Sequence, residues 1–405
     1  MKCRVCKSSK LTDILSLGNQ YLSEFRDDNT KPPQYPLDLV ICSECNQVQL
    51  KETVPSELLY TDNYGYRSGV NTTMYNHLRD IVFDLVKDID IKPTDAIIDI
   101  GSNDGTLLKW YPKMFKYLYG FDLVSKFASD YQGTGIEFVN KPFTRKNYGG
   151  KAKIITCISM FYDADDPITL LQDMAETLGK KGVIIIQQNY LLEMLKNNAF
   201  DNIVHEHLCY HILQSMEKIA KPFGLEIFNV KLNDLNGGSF RTYICHKGDY
   251  PISAKVKKQL DIELDYELDH IGAYTDFARR VKDIAEGLYK LLIDINREGK
   301  SVFVYGASTR GNTLLQYCSI DNKLIQKAVE RNPEKYGKKI ASVGIPIISE
   351  EQARKEHPAY MLVLPWHFFD IEMKIREKGY LNEGGKFIVP LPKVRIVTKD
   401  GETYL

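Results

Sequence analysis

The sequence predicts an α/β protein in which two parallel-sheet units follow a small metal-stapled unit. Three observations predict it. From Ala96 onward, short aliphatic runs alternate with helical segments. That rhythm stops at a charged stretch and restarts at Ser301. Two CxxC pairs, Cys3/Cys6 and Cys42/Cys45, stand near the start. A length of 405 residues suits two or three domains.

Within residues 1–70, the stretch up to about residue 60 is turn-rich, with Lys31-Pro32-Pro33 in the middle. Their quartet of cysteines carries the fold. Two residues between cysteines let both thiolates face one ion, and four sulfurs saturate a tetrahedral zinc, so the site is structural. Such a metal compensates for the small core of a short segment. The region is read as a zinc-binding domain with Cys3, Cys6, Cys42 and Cys45 as ligands. Next, Met74, His77, Leu78, Ile81, Val82 and Leu85 recur at helical spacing and predict an amphipathic helix over about 70–90. In the domain 71–250, the runs Ala96–Ile100, Tyr117–Phe121, Lys153–Ile158, Gly182–Gln187, Leu225–Val230 and Phe240–Cys245 predict strands. Their alternation with helices predicts a mostly parallel, helix-covered sheet. Residues 251–300 read as a helical connector. A second α/β domain, 301–405, has strands expected at Ser301–Tyr305, Ile325–Val329, Ala359–Leu364 and Lys386–Val389.

Composition narrows the function. Lys+Arg and Asp+Glu both number 53, so no global positive field draws nucleic acid or an acidic membrane. No apolar stretch is long enough to span a bilayer. The start, MKCRVCKSSK, lacks the apolar core of a secretory signal, so the cytoplasm is the expected compartment. Zero net charge permits a monomer or a weak homo-oligomer.

The central signal is Ile97-Ile98-Asp99-Ile100-Gly101-Ser102-Asn103-Asp104-Gly105-Thr106-Leu107-Leu108. A hydrophobic strand ends in an acid and a glycine turn, and a helix is expected from about Thr106. Small residues admit a ligand close to the backbone, and such sheets bind nucleotides beyond the carboxyl end of the first strand. The loop lacks the P-loop lysine and the GxGxxG pattern. Asp104 suits a cationic sulfonium and amino group better than a pyrophosphate, which favours S-adenosylmethionine over NAD. Asp122, after the next strand, is placed to accept from ribose hydroxyls. The expected cofactor residues are Asp99, Gly101, Ser102, Asn103, Asp104, Gly105 and Asp122.

The reactive segment is Asp201-Asn202-Ile203-Val204-His205-Glu206-His207-Leu208-Cys209-Tyr210. Two imidazoles flank a carboxylate, a pattern suited to removing a moderately acidic proton. The spacing is not that of HExxH, so a catalytic metal would need ligands from elsewhere. Asn236-Gly237-Gly238-Ser239-Phe240-Arg241 reads equally as a hairpin turn and as a pocket wall offering Arg241 to an anion or carbonyl.

In order, the chain shows the CxxC pairs, Tyr64-Gly-Tyr66-Arg-Ser68-Gly-Val-Asn71, IGSNDGTLL, HEH, NGGSFR and Val304-Tyr305-Gly306-Ala307-Ser308-Thr309-Arg310-Gly311-Asn312-Thr313. This series resembles the three-domain sugar C-methyltransferases of deoxysugar biosynthesis. The resemblance implies a class I Rossmann-like methyltransferase domain between a zinc-binding domain and a second Rossmann-like domain. It implies methylation at C3 of a nucleotide-linked 4-keto-6-deoxy sugar. Glu206 and His207 fall on the family's Tyr-x-Glu-His element, with His207 as base, whereas the tyrosine position holds Val204. His205 and Tyr210 are candidates to compensate. The catalytic set is then His207, Glu206, His205 and Tyr66, with Tyr66, Asn202 and Arg241 as donors to an enolate. Tyr64, Asn202, Arg241, Gly306, Ser308, Arg310 and Asn312 are expected on the nucleotide-sugar, the glycine loop meeting its phosphate at a helix N-terminus. Glu330-Arg331-Asn332-Pro333 and Pro365-Trp366-His367-Phe368 resemble further cleft segments.

Overall fold

Strands form where the sequence concentrates its aliphatic runs, and among the described residues they make three sheets. The computed structural model describes residues 1–60 and 66–405, so Tyr64 lies outside the described residues. The central sheet has seven strands in the order Leu225–Asn233, Ser239–His246, Leu178–Asn189, Ala152–Ile158, Ala96–Ile100, Tyr117–Phe121 and Glu137–Val139. Ser239–His246 runs antiparallel to both neighbours, and the remaining pairings are parallel. Ile97, Ile98, Ile154 and Ile155 are fully buried because both faces of these strands are covered, which explains their unbroken apolar character. The helix Thr72–Asp88 covers part of one face through Met74, Leu78, Ile81, Val82 and Leu85. Asn71 starts it by accepting from the Thr73 and Met74 N–H groups.

The two flanking sheets borrow strands across the chain. In the first unit, Leu11–Tyr21, Gln34–Cys42 and Val48–Leu50 form an antiparallel sheet whose fourth strand is Cys209–Tyr210, from the reactive segment. The last sheet has a parallel centre of Ile345–Ser349, Lys327–Glu330, Val302–Tyr305, Tyr360–Val363 and Lys386–Val389. Phe25–Arg26 joins its edge through Lys339–Ile340.

The helix expected from Thr106 is only a 3-10 turn, Leu108–Trp110. Gly105 has a left-handed φ of 75° and Pro112 follows closely, leaving too few residues for an α-helix. The charged stretch forms two helices, Ala254–Asp265 and Ile271–Arg297. The first delivers Glu263, fully buried, to the N-terminus of the helix Leu213–Ala220. Its carboxylate accepts from the Leu213 and Gln214 N–H groups at 2.6 and 2.9 Å and from the Tyr190 hydroxyl at 2.6 Å. Glu263→Ala would strand these donors in the core. The expected loss is about 3 kcal/mol of stability, measured by urea unfolding.

Candidate active site

The zinc unit is built from two turns of the same design. Lys7 N–H donates to the Cys3 carbonyl and Asn46 N–H to the Cys42 carbonyl, with Lys7 and Asn46 both at a positive φ of about 60°. The Sγ pairs Cys3/Cys45 and Cys6/Cys42 lie 3.6 and 3.5 Å apart, and all four ligand atoms fall within 4.8 Å of one another. A zinc–sulfur bond of about 2.3 Å sets tetrahedral sulfur edges of roughly 3.8 Å, so the quartet fits zinc with no open position. The knuckle reaches the cofactor side through Arg4, whose guanidinium donates to the Leu50 carbonyl, Thr53 Oγ1 and Asp165.

Beyond the carboxyl end of Ala96–Ile100 lies a cleft of about 530 Å³. Asp99, Gly101, Ser102, Asn103 and Asp122 line it, together with Met160, Phe143 and Leu123. Gly101 and Ser102 N–H both donate to the Phe121 carbonyl, which curls the loop over the sheet edge. Gly101 has φ 70°, and a Cβ there would stand 2.9 Å from Met160. Asp122 accepts from Asn103 N–H and Val124 N–H, each at 2.9 Å, holding the two loops together. The Tyr131 hydroxyl braces the turn, 2.7 Å from Ser102 Oγ. Burial raises the Asp99 pKa to about 7, opposed by a 2.6 Å hydrogen bond from Thr156.

Asp104 and Gly105 have other work. Asp104 accepts from Gly69 N–H at 2.9 Å and from the Thr106 hydroxyl at 2.6 Å, and it lines a separate hollow with Trp110 and Lys109. It anchors residues 67–69 rather than facing the cofactor cleft. Gly105 is small because Tyr131 lies against it. Asn103 completes the anchorage, accepting from Ser68 N–H and donating to the Tyr66 carbonyl. Tyr66 itself lines the cleft; burial of its hydroxyl raises its pKa to about 12.

The reactive segment divides its side chains between three jobs. Glu206 lines the cofactor cleft, with its pKa raised to about 6 by burial. His207 Nδ1 lies 2.8 Å from the Asn202 carbonyl, which fixes the proton on Nδ1 and leaves the lone pair on Nε2. Its ring meets Tyr162 edge-on at 4.4 Å. Burial lowers its pKa to about 3, so it stays neutral. Asn202 also accepts from Asn189 through its side chain, and the Tyr210 hydroxyl approaches its carbonyl at 3.4 Å. His205 points the other way, 3.1 Å from the Tyr35 carbonyl in the zinc unit. That contact ties it to the zinc unit, and it does not line the cleft; Val204, at the position where the family element has tyrosine, is buried.

Several expected substrate contacts are occupied. Arg241 is buried under the helix Thr72–Asp88, bound to Gln187, Asp84 and Tyr243 and beside His77, and does not line the cleft. These contacts occupy its guanidinium, and Asn236–Gly238 is the hairpin turn that reverses the chain. Asn312 is buried against the Ser342 hydroxyl. In the loop after Val302–Tyr305, Gly306 adopts φ 92° and Ser308 caps the next helix by accepting from Gly311 N–H. The Ala307 N–H that a phosphate would use donates to the Glu330 carboxylate at 3.1 Å, and Lys335 binds the same group. The loop is therefore closed by an acid. Arg310 reaches the reactive segment, pairing with buried Asp201 at 2.7 and 3.0 Å, where Trp366 Nε1 also donates. Sequence reading missed Asp163, which lines the cleft, because its acidic run looks like an ordinary helix start, and Asp166 does cap the next helix.

Three family models match in sequence. A zinc binding domain covers residues 3–60, a methyltransferase domain 72–230, and a C-methyltransferase C-terminal domain 234–392. The chain belongs to the three-domain C-methyltransferases. Its cofactors are S-adenosylmethionine and a structural zinc. It is 28% identical over 410 residues to C-methyltransferase NovU of Streptomyces niveus, covering 98% of this chain and 97% of that one. A tRNA U34 carboxymethyltransferase of Campylobacter jejuni subsp. doylei is 29% identical over 127 residues, covering 27% of this chain and 42% of its own. Among solved structures, an S-adenosylmethionine-dependent methyltransferase from Clostridium acetobutylicum gives a TM-score of 0.36 at 15% identity, over 43% of this chain and 92% of its own. Magnesium protoporphyrin IX methyltransferase from Synechocystis with bound SAH gives 0.34 at 15%, over 43% and 87%. Among the described residues, no helix is long and apolar enough to cross a membrane.

Two outcomes follow for this methyltransferase. Gly101→Ala is expected to weaken adenosylmethionine binding about tenfold or more by calorimetry, since the new methyl meets Met160 at a left-handed backbone position. Cys42→Ser is expected to lose the single zinc by elemental analysis and to weaken the same binding, because Thr53, which Arg4 holds, lines the cleft.

Proposed function

We propose that this C-methyltransferase acts on C3 of a nucleotide-linked 4-keto-6-deoxy sugar, with His207 as the base. The observation that carries the reading is the His207 tautomer. A backbone carbonyl holds Nδ1–H, so Nε2 keeps its lone pair, and the neighbouring Glu206 lines the cleft while His207 itself does not.

The ketone acidifies the neighbouring C–H bond. His207 Nε2 takes that proton, and the electron pair moves onto the carbonyl oxygen as an enolate. A low pKa makes the imidazole available in its neutral form at every working pH, but a weak base. The enolate must then be stabilised by donors, and the Tyr66 hydroxyl, protonated to high pH, is one such donor at the cleft. Adenosylmethionine supplies the methyl group from its sulfonium, where the cleft residues Asp99, Ser102 and Asp122 would hold it. Arg310 keeps the C-terminal domain against the reactive segment through Asp201, which orders the segment that carries His207.

The test is mass spectrometry with labelled adenosylmethionine and a panel of nucleotide 4-keto-6-deoxy sugars. One labelled methyl on a ring carbon is expected. Transfer to oxygen or nitrogen, or none to any sugar, would overturn the reading. His207→Ala is expected to lower turnover by about 100-fold or more and to stop solvent deuterium entering at the carbon, with adenosylmethionine affinity unchanged.

A further inference from the structure

The cofactor cleft is charged unevenly, and the unevenness gives its ligand a direction. One wall comes from the loops after four neighbouring strands, Ala152–Ile158, Ala96–Ile100, Tyr117–Phe121 and Glu137–Val139. Neighbouring strands lie about 4.8 Å apart, so the first and last of these loops are separated by about 14 Å, a span that an extended adenosylmethionine matches. Lys141 follows the last strand, and among the described residues it is the only lysine or arginine lining the cleft. Asp163 and Asp165 line the other end with Glu206, and Asp99 and Asp122 lie between. The sulfonium and the α-ammonium are the cofactor's two cations. Both belong at the acidic end, which puts the nucleobase over Pro142 and Phe143 toward Lys141.

The three acids of that end are engaged differently. Asp165 accepts from Arg4 and from the Thr53 hydroxyl. Glu206 arrives on the reactive segment. Asp163 belongs to the wall that the cofactor loop itself touches: its N–H donates to the Met160 carbonyl at 2.9 Å, and Met160 is the side chain packed on Gly101. The Tyr60 hydroxyl donates to the Asp163 carboxyl, while Oδ1 is sealed from solvent without a hydrogen-bond partner. Among the described residues no ion pair reaches this acid. The last torsion of an aspartate is soft and two-fold, so either oxygen can turn to a ligand in the cleft. Asp104, the acid that the sequence offers to the ammonium, is spent on Gly69 and Thr106.

We propose that Asp163 binds the α-ammonium of adenosylmethionine and so fixes the direction in which the cofactor lies. The assignment depends on the cofactor and not on the identity of the sugar. The α-carboxylate needs donors instead, and Ser56 and Ser68 bring hydroxyl groups to the cleft.

Binding then carries a proton with it. In the empty cleft, burial and then the charge of Glu206 hold the Asp163 pKa well above the carboxylate range. Burial also raises Cys157, Cys209 and Tyr210, which lie within electrostatic reach of Asp163, so these stay neutral near pH 7. An arriving ammonium favours the carboxylate and displaces the proton to solvent.

Calorimetry on the zinc-loaded protein tests this with two ligands, adenosylhomocysteine and its analogue lacking only the α-amino group. Asp163→Asn is expected to weaken adenosylhomocysteine about tenfold or more and not to weaken the analogue. In two buffers of different ionisation enthalpy, the wild type is expected to release a proton on binding adenosylhomocysteine, and Asp163→Asn to release none. Asp163→Glu, which keeps the charge, is expected to recover part of the preference for the amino group, separating lost charge from a disturbed fold. Equal weakening of both ligands in Asp163→Asn would mean that the residue only shapes the wall, and would overturn the assignment. Unchanged binding of both ligands would do the same. So would a loss selective for the amino group in Glu206→Gln with none in Asp163→Asn, which would put the ammonium on the reactive segment.

Discussion

The short ladder between Val48–Leu50 and Cys209–Tyr210 fixes the geometry on which the rest of the site depends. It makes the reactive segment the edge strand of a sheet in which the turn before its partner strand carries two of the metal ligands, Cys42 and Cys45. Gln47 adds a side-chain bond to the Tyr210 carbonyl, and Leu50 N–H donates to the Leu208 carbonyl. Between Asn202 and Leu208 the chain is otherwise an irregular loop, which would sample many conformations at a large entropic cost. Held at that ladder and by His205 on Tyr35, it keeps Glu206 on the cofactor cleft and His207 on the Asn202 carbonyl.

The opposite side of the segment is held by charge. Asp201 is nearly inaccessible, and its pairing with Arg310 and Trp366 crosses from the central domain to the last one. A buried pair of this kind adds little net stability, because desolvation offsets the attraction, but it is intolerant of losing one partner. Its contribution is positional. The ladder sets where the loop starts and ends, and the ion pair sets how close the C-terminal domain stands to it.

The sheet, the metal quartet and most of the cofactor loop were legible because each follows from a local rule. Aliphatic runs with no alternation mark strands covered on both faces, and paired CxxC turns mark a tetrahedral ion. What was illegible depends on direction. Asp104 and Asp99 are both acids in one short loop, yet only Asp99 faces the cleft, since Gly105 turns the chain back toward residues 67–69. His205 and His207 are two residues apart, and the loop sends them to different neighbours. Arg241 looked free beside a glycine turn, but the fold places it among Asp84, Gln187 and Tyr243. The glycine loop near Gly306 had the composition of a phosphate cradle, and only the fold brings Glu330 onto its N–H.

The shared strand also bears on how such a protein can be recombined. A boundary drawn at residue 70 looks like a clean seam in the sequence, but the first unit's sheet is completed by residues far downstream, and the last unit's sheet begins with Phe25–Arg26. A chimera that exchanged the cysteine-bearing unit alone would cut through two hydrogen-bonded ladders. The exchangeable piece therefore consists of segments separated in the chain: the metal knuckles, their partner strand at Cys209–Tyr210 and the edge at Lys339–Ile340 would have to travel together. Inheritance of a new specificity in this architecture is thus a matter of coordinated small changes, not of swapping whole parts.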